Sequence, residues 1–218
     1  MMAEFHAISY ACAETDSYNK TQVTNDSFDI GAFSKQVNES YAYFSLEGLP
    51  ENATITSFAL FLTQKTGSYY NKSVSVKASV CENYIKPASV CWNNKPKSGK
   101  IYGKTTIGSN SAGERKWTLL NAETDEPYPI AAYLTDNILV VKFEIEGAAA
   151  GDNNAKGFRA SSDATASARP RLTIGYELPQ GVKVYQNGAF AEKPVRVYTG
   201  GVWKDAVVRK YKNGAWTA

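Results

Sequence analysis

The chain has 218 residues, a formal net charge of +3 and 43% hydrophobic residues, which indicates a globular β domain, alone or with an appendage. No apolar run approaches a membrane span, and one histidine with three cysteines offers little for metal or redox chemistry. The 14 Tyr, 9 Phe and 4 Trp favour strands over helices.

Five segments alternate with a period of two, which predicts half-buried strands. The expected inward residues are Ala42, Phe44 and Leu46 in 41–50; Phe58, Leu60 and Leu62 in 54–64; Val74, Val76, Ala78 and Val80 in 73–80; Leu139, Val141, Phe143 and Ile145 in 137–147; and Leu172, Ile174 and Tyr176 in 169–177. Residues 54–64 are also apolar on the other face, at Ile55, Ala59 and Phe61, which predicts a strand deep in a sandwich or under a partner. Lys142 and Glu144 are expected to point outward.

Clusters of Gly, Asn, Ser and Pro separate these strands and indicate turns, and only residues 121–137 offer a helical turn. Short strands without helices predict an antiparallel β-sandwich. Pro179 and Gly181 mark a boundary between a sandwich over residues 1–178 and an appendage over residues 181–218.

The appendage is a threefold repeat with a period of 13 residues. The positions that keep this step include Tyr185, Tyr198 and Tyr211; Gly188, Gly201 and Gly214; and Phe190, Trp203 and Trp216. The segment holds seven Lys and Arg against two acids, so it is more basic than the rest of the chain. Its charge predicts either attraction to an acidic partner or a solvated face.

Asn-Gly and Gly-Gly pairs at 187–188, 200–201 and 213–214 predict two-residue type I′ turns and therefore three β-hairpins. The resulting register places Tyr185 opposite Phe190, Tyr198 opposite Trp203, Tyr211 opposite Trp216, Lys183 opposite Glu192, and Arg196 opposite Asp205. Because a lone hairpin is only marginally stable, we expect the six aromatic residues to form a small core, to contact a virion partner or to stack on sugar rings, with the first two favoured. Stacking of repeats also predicts a homo-oligomer.

Residues 41–62 resemble a motif in which a strand and a Leu-Pro turn are followed by a second strand with the pattern I-x-x-A-x-L-x-L. The segment ASVCWNNKP at 88–96 resembles the motif V-T-W-N-N-x-P. Residues 153–177 resemble a G-F…S-S…P-x-L-x-I-x-Y ending. In this order the motifs resemble the DNRLRE domain over about residues 20–178. The resemblance implies a jelly-roll-like sandwich related to carbohydrate-binding modules.

The repeat is similar to the VYNGSxW tandem tails of bacteriophage tail, fibre and related virion proteins. The N-terminal sequence MMAEFHAISYACAETD has neither a cationic start nor an apolar core, so we expect no signal peptide. A virion protein needs none, because lysis releases it. These resemblances imply a non-enzymatic virion component that assembles with other virion proteins.

No catalytic constellation is present in the sequence. His6 is the single histidine, expected on the surface near a loose terminus, and Cys81 and Cys91 are expected as thiols, with pairing left open. Acidic residues at Glu123, Asp125, Glu126 and Asp136 would suit a Ca²⁺ site or a glycosidase pair, but a solvated acidic loop is the default interpretation. No nucleic-acid-reading motif and no membrane segment are recognised, and no cofactor is expected.

Several aromatic residues invite a carbohydrate-stacking interpretation. Trp92 and Trp117 are candidates, although Trp92 is expected to anchor the core at least as well. Tyr69 and Tyr70 lie in a polar loop tip, where binding residues often occur. The alternative function is therefore an adhesin that binds a surface polysaccharide, and a glycan-cleaving enzyme is a third hypothesis.

Overall fold

The structure is a computed structural model that describes residues 2–17, 22–23, 26–51, 53–66, 72–109, 112–121, 133–178, 182–186, 189–193, 195–205, 210–212 and 215–217. Nearly all of its regular structure is antiparallel β-strand, which confirms the all-β prediction. Two single 3₁₀ turns interrupt the strands, at Pro87–Ser89 and Ala166–Ala168. Neither turn, nor any other helix in the described part of the chain, has the length and hydropathy to cross a membrane.

Thirteen strands form one hydrogen-bonded network that folds into a two-layer sandwich. The first sheet contains β1 (Met2–Ile8), β6 (Thr54–Gln64), β9 (Gly113–Thr118), β12 (Lys156–Arg159) and β13 (Arg171–Glu177). The second sheet contains β2 (Ala11–Asp16), β3 (Gln22–Val23), β5 (Gln36–Ser45), β7 (Val74–Cys81), β8 (Ser98–Ile107), β10 (Leu120–Asn121) and β11 (Ile138–Ile145). Strand β4 (Ser27–Phe33) belongs to both sheets.

The chain passes from the first sheet to the second at three corners, which close the sandwich. Residues 27–30 of β4 pair with β12, whereas residues 31–33 pair with β5. The corner falls at Gly31, whose φ of +90° lies in the left-handed region, and a Cβ there would also press on the terminal methyl of Ile145. The backbone conformation therefore favours glycine at this position. Strand β1 continues into β2, and β9 into β10, through similar corners.

An aromatic cluster fills the space between the sheets. Phe28 lies 5.8 Å from both Phe143 and Phe158, and Trp117 lies 6.3 Å from Phe143 and 6.1 Å from Phe158, measured between ring centroids. The indole Nε1–H of Trp117 donates a 3.0 Å hydrogen bond to the carbonyl of Val76. Trp117 is fully buried, so the carbohydrate-stacking interpretation of this residue is wrong.

The predicted inward faces of the five strands are confirmed, with one change of parity in β6. Phe58, Leu60 and Leu62 are buried as expected, but Ile55 is also buried. The register between β6 and β13 shifts there, because Gly175 pairs with Ser57 and the next residue, Tyr176, pairs with Ile55. This β-bulge turns Ile55 towards the core, so its assignment to the opposite face is wrong.

On the other face of β6, two cationic side chains lie over Phe61. The ring of Phe61 lies 5.8 Å from Nζ of Lys116 and 5.1 Å from Cζ of Arg171. Both side chains lie within cation–π range and cover part of the ring. The apolar second face of residues 54–64 is therefore half-buried by neighbouring side chains of the same sheet.

The segment between β7 and β8 forms a third layer over the outer face of the second sheet. The hydroxyl of Tyr43 donates a 2.9 Å hydrogen bond to the carbonyl of Ile85, and Val90 is fully buried. This cover encloses a second apolar cluster of Ala13, Tyr41, Tyr43, Cys81, Val90 and Val140. Lys142 points outward from the sheet, as predicted, yet only 8% of it is exposed.

The appendage forms three separate two-stranded sheets. Their strands are β14 (Val182–Gln186) with β15 (Ala189–Lys193), β16 (Arg196–Thr199) with β17 (Val202–Asp205), and β18 (Lys210–Lys212) with β19 (Ala215–Thr217). All the predicted cross-strand pairs are present in the register. Gly200 and Gly201 have φ of +60° and +83°, as a type I′ turn requires, while the turns at 187–188 and 213–214 lie outside the described residues.

Glu14 is a carboxyl group enclosed where β2, β4 and β5 meet. Its Oε2 accepts a 2.8 Å hydrogen bond from the backbone N–H of Asp29, and its Oε1 accepts one of 2.8 Å from Nδ2 of Asn38. Burial, with a further contribution from Asp29 and Asp16, raises the pKa of Glu14 to about 8. The folded protein therefore holds a proton that the unfolded chain releases near pH 4.5.

Because the folded protein keeps this proton, we expect the contribution of Glu14 to the free energy of unfolding to fall as the pH rises from about 4.5 to about 8. Over that window the folded state binds more protons than the unfolded state, which sets the sign of the slope. Glu14 contributes at most about 1.4 kcal/mol per pH unit. We expect Glu14→Gln to flatten the slope between pH 5 and 8 in urea unfolding. Glu47→Gln, at an exposed position, is the control for loss of a carboxylate, and equal slopes for Glu14→Gln and the wild type would contradict the assignment.

Candidate functional site

The middle hairpin presents an aromatic pair to solvent. Tyr198 and Trp203 lie opposite each other, with ring centroids 5.2 Å apart and planes tilted by 56°. Their exposed fractions are 59% and 66%. The pair forms because the two-residue turn fixes the register, and an aromatic cross-strand contact then stabilises the hairpin. Its outer ring surfaces remain accessible.

The opposite face of the same hairpin is also apolar and exposed. Val197 is 50% exposed and Val202 is 53% exposed. Arg196 lies opposite Asp205 at the open end, beside the aromatic pair. Large exposed apolar side chains on both faces of a two-stranded sheet are typical of a surface that a partner covers.

The first and third hairpins repeat this backbone arrangement. Tyr185 pairs with Phe190, and Tyr211 pairs with Trp216, at the position that Tyr198 and Trp203 occupy in the middle hairpin. The predicted set of six aromatic positions is therefore brought into three equivalent cross-strand pairs.

A charged network lies on the outer face of the second sheet, beneath residues 82–97. Oε1 of Glu39 lies 3.0 Å from Nζ of Lys142, and Oε2 of Glu39 lies 2.7 Å from Nζ of Lys95. Lys142 also contacts Glu144 at 2.7 Å, and Tyr41 donates a 3.1 Å hydrogen bond to Oε2 of Glu39. Burial alone would raise the pKa of Glu39, but the two lysines outweigh it and hold the pKa below its ordinary value.

Lys95 connects this network to Trp92. Its Nζ lies 3.5 Å from the centroid of the Trp92 ring, within cation–π range. Trp92 is half-buried, in a short turn closed by the bridge between Cys91 and Asn94. Trp92 therefore helps to fix the covering segment through Lys95 while part of its surface stays accessible.

Tyr10 and Tyr84 extend the accessible aromatic surface along the same face. Tyr10 is 49% exposed and lies 6.3 Å from the ring of Tyr43, which in turn makes an edge contact with Tyr84 at 6.0 Å. Partial burial and the neighbouring Tyr84 raise the pKa of Tyr10 to about 12. The sequence analysis missed this face because the period of two was used to assign only the side chains that face the core. The pair of tyrosines in YAYF, Tyr41 and Tyr43, is the sequence feature that could have indicated it.

Several predicted site residues fall elsewhere. Tyr69, Tyr70, Glu123, Asp125 and Glu126 lie outside the described residues, and Asp136 occupies a tight turn with a φ of +52°. His6 is on the surface but in a paired strand, so the expectation of a loose terminus there is wrong.

Cys12, Cys81 and Cys91 are free thiols, as expected. Burial raises the pKa of Cys81 to about 12.

In comparisons with known proteins, no family model and no curated protein matches this chain. The resemblances of residues 20–178 and of the repeat therefore remain predictions. The class of protein that the geometry defines is an all-β chain with a two-layer sandwich and hairpins, of which the middle one has exposed side chains.

The chain offers a matched test of the charged network, because two glutamates each lie between two lysines. The Glu39 side chain is 14% exposed, whereas that of Glu146, between Lys77 and Lys104, is 45% exposed. We expect Glu39→Gln to lower the free energy of unfolding by about 2–3 kcal/mol, because it leaves the charge of Lys142 buried with one partner fewer. Glu146→Gln is expected to cost less than about 1 kcal/mol. Urea unfolding at pH 7 compares them, and equal losses would contradict a structural role for the network.

Proposed function

We propose that this chain is a non-enzymatic structural component of a tailed-phage or phage-tail-like particle, such as a tail, baseplate, fibre or capsid decoration protein. In this proposal residues 1–178 are displayed outward and residues 181–218 attach to other virion proteins or to further copies of the chain. The observation that carries it is the solvent-exposed Tyr198–Trp203 pair, repeated in register by the other two hairpins.

The energetics of the hairpins support an assembly role. A two-stranded hairpin is marginal in water, so burial of its apolar faces by a neighbour would stabilise it. Repeats with the same cross-strand pairs can engage equivalent surfaces side by side. The excess of seven cations over two acids would favour an acidic neighbour.

The sequence resemblances point the same way. The repeat is similar to tails of phage virion proteins in its period, glycines and aromatic residues. The resemblance of residues 20–178 to a carbohydrate-binding type of sandwich suits a domain displayed outside the cell. Together they support a virion location.

The test is quantitative mass spectrometry of particles purified from the source that carries this gene. We expect the wild-type chain in intact particles and Trp203→Ala at a level at least about tenfold lower, because truncation removes the exposed anchor. Trp203→Phe keeps a ring, and Tyr10→Ala removes an exposed ring from the sandwich instead, so both variants should be incorporated. Absence of the wild-type chain from intact particles would refute the proposal.

A second candidate function is binding of a surface polysaccharide, favoured by the partly exposed aromatic residues Tyr10, Tyr84 and Trp92 on one face of the sandwich. A few polar groups beside aromatic side chains are typical of small-molecule sites. A glycan array probed with the full chain should then show binding that Tyr10→Ala and Trp92→Ala weaken. Tyr69→Ala with Tyr70→Ala tests the loop predicted from the sequence, and no binding to any polysaccharide would exclude this candidate.

A further inference from the structure

Strand β1 leaves one edge of the first sheet open among the described residues. It lies at the end of the strand order and pairs only with β13, through all seven residues and without a shift in register. Its sequence, MAEFHAI, has no lysine, no proline and no bulge, and Glu4 is its one residue with a formal charge, so it carries few of the devices that protect an edge strand. An edge of this kind is a template for another strand.

The sequence of β1 is self-complementary about Phe5. When two copies are laid antiparallel with the two Phe5 residues opposite each other, Glu4 faces His6 of the other copy, and Ala3 faces Ala7. Met2 then faces Ile8. The arrangement contains two acid–histidine pairs and four apolar pairs related by a twofold axis, with the two Phe5 residues facing each other on that axis.

We propose that β1 pairs with β1 of a second copy of this chain, antiparallel and centred on Phe5, so that the first sheet continues across both molecules. About six to eight backbone hydrogen bonds would join the two strands. The interface does not involve the hairpins, so the proposal is independent of the function proposed for them.

The side chains of β1 are arranged for such a contact. Phe5 and Ala7 point towards the core, and the twofold axis keeps these faces on the same side of the joined sheet. Glu4 and His6 point to solvent with side-chain exposures of 66% and 65%, and their nearest atoms lie 3.4 Å apart. His6 also lies 3.1 Å from the hydroxyl of Thr173 on β13 through its Nδ1, so pairing across a new strand boundary would replace the contact between Glu4 and His6 of one copy by contacts between copies.

The neighbouring strand leaves room for this pairing on the outer face. Within the sheet, Glu4 is paired with Gly175 and His6 with Thr173, so neither has a charged residue directly opposite on β13. Ile8 is 51% exposed at the end of the strand. A second β1 would therefore bring the opposite charge and the apolar neighbour that these three side chains lack across β13.

The test is sedimentation equilibrium of the full chain at pH 7. We expect reversible dimerisation with a dissociation constant in roughly the micromolar range, because a strand-edge interface is small. His6→Glu places a carboxylate opposite each Glu4 and should weaken association at least about tenfold. His6→Lys should preserve it. Glu4→Lys combined with His6→Glu again places a cation opposite a carboxylate and should restore it, whereas His6→Glu alone places two carboxylates opposite each other and Glu4→Lys alone removes the carboxylate that faces His6.

Lys35→Glu, at the exposed turn between β4 and β5, controls for the addition of a carboxylate elsewhere and should leave association unchanged. Thermal unfolding of each variant confirms that the fold is retained, and amide exchange should show concentration-dependent protection within residues 2–8. Assembly through the hairpins would not follow the charge reversals. A monomer at millimolar concentration, or equal association of His6→Glu and His6→Lys, would overturn the proposal.

Discussion

The bond from the indole of Trp117 to the carbonyl of Val76 joins the two sheets at the centre of the molecule. Trp117 lies on β9 of the first sheet and Val76 on β7 of the second, and the aromatic rings of Phe143 and Phe158 surround the indole. A buried indole N–H needs a partner, so this contact fixes how deeply the sheets approach each other. Because this bond brings β9 of the first sheet close to β7 of the second, the chain can turn the corner from β9 into β10 shortly after Trp117.

The packing of the two sheets also determines which surfaces remain accessible to partners. Residues 82–97 cover the outer face of the second sheet and are fixed by charges around Glu39, so that face offers only a rim of aromatic residues. Among the residues that the structure describes, the first sheet has no comparable cover and keeps the open edge of β1. The molecule therefore combines a buried aromatic interior with two distinct accessible features, the edge of β1 and the middle hairpin.

The hairpins differ from the sandwich in what sets the register of their strands. In the middle hairpin the register follows from Gly200-Gly201 and from the aromatic pair beside it, which are local in the sequence. Local register can be predicted from sequence, but local contacts cannot supply enough burial for stability. A repeat built in this way is well suited to gain its stability from an assembly.

The sequence by itself determined five of the thirteen sandwich strands, most of their inward faces and the hairpin register, because periods of two and turn residues act over a few positions. It did not determine the orientation of Ile55, which a β-bulge turns towards the core, or the burial of Lys142, which residues 82–97 cover. Trp117 and Trp92 looked alike as candidates, yet one is central and the other half-exposed. Only the tertiary structure decided these positions, because they depend on which distant segments pack over each strand.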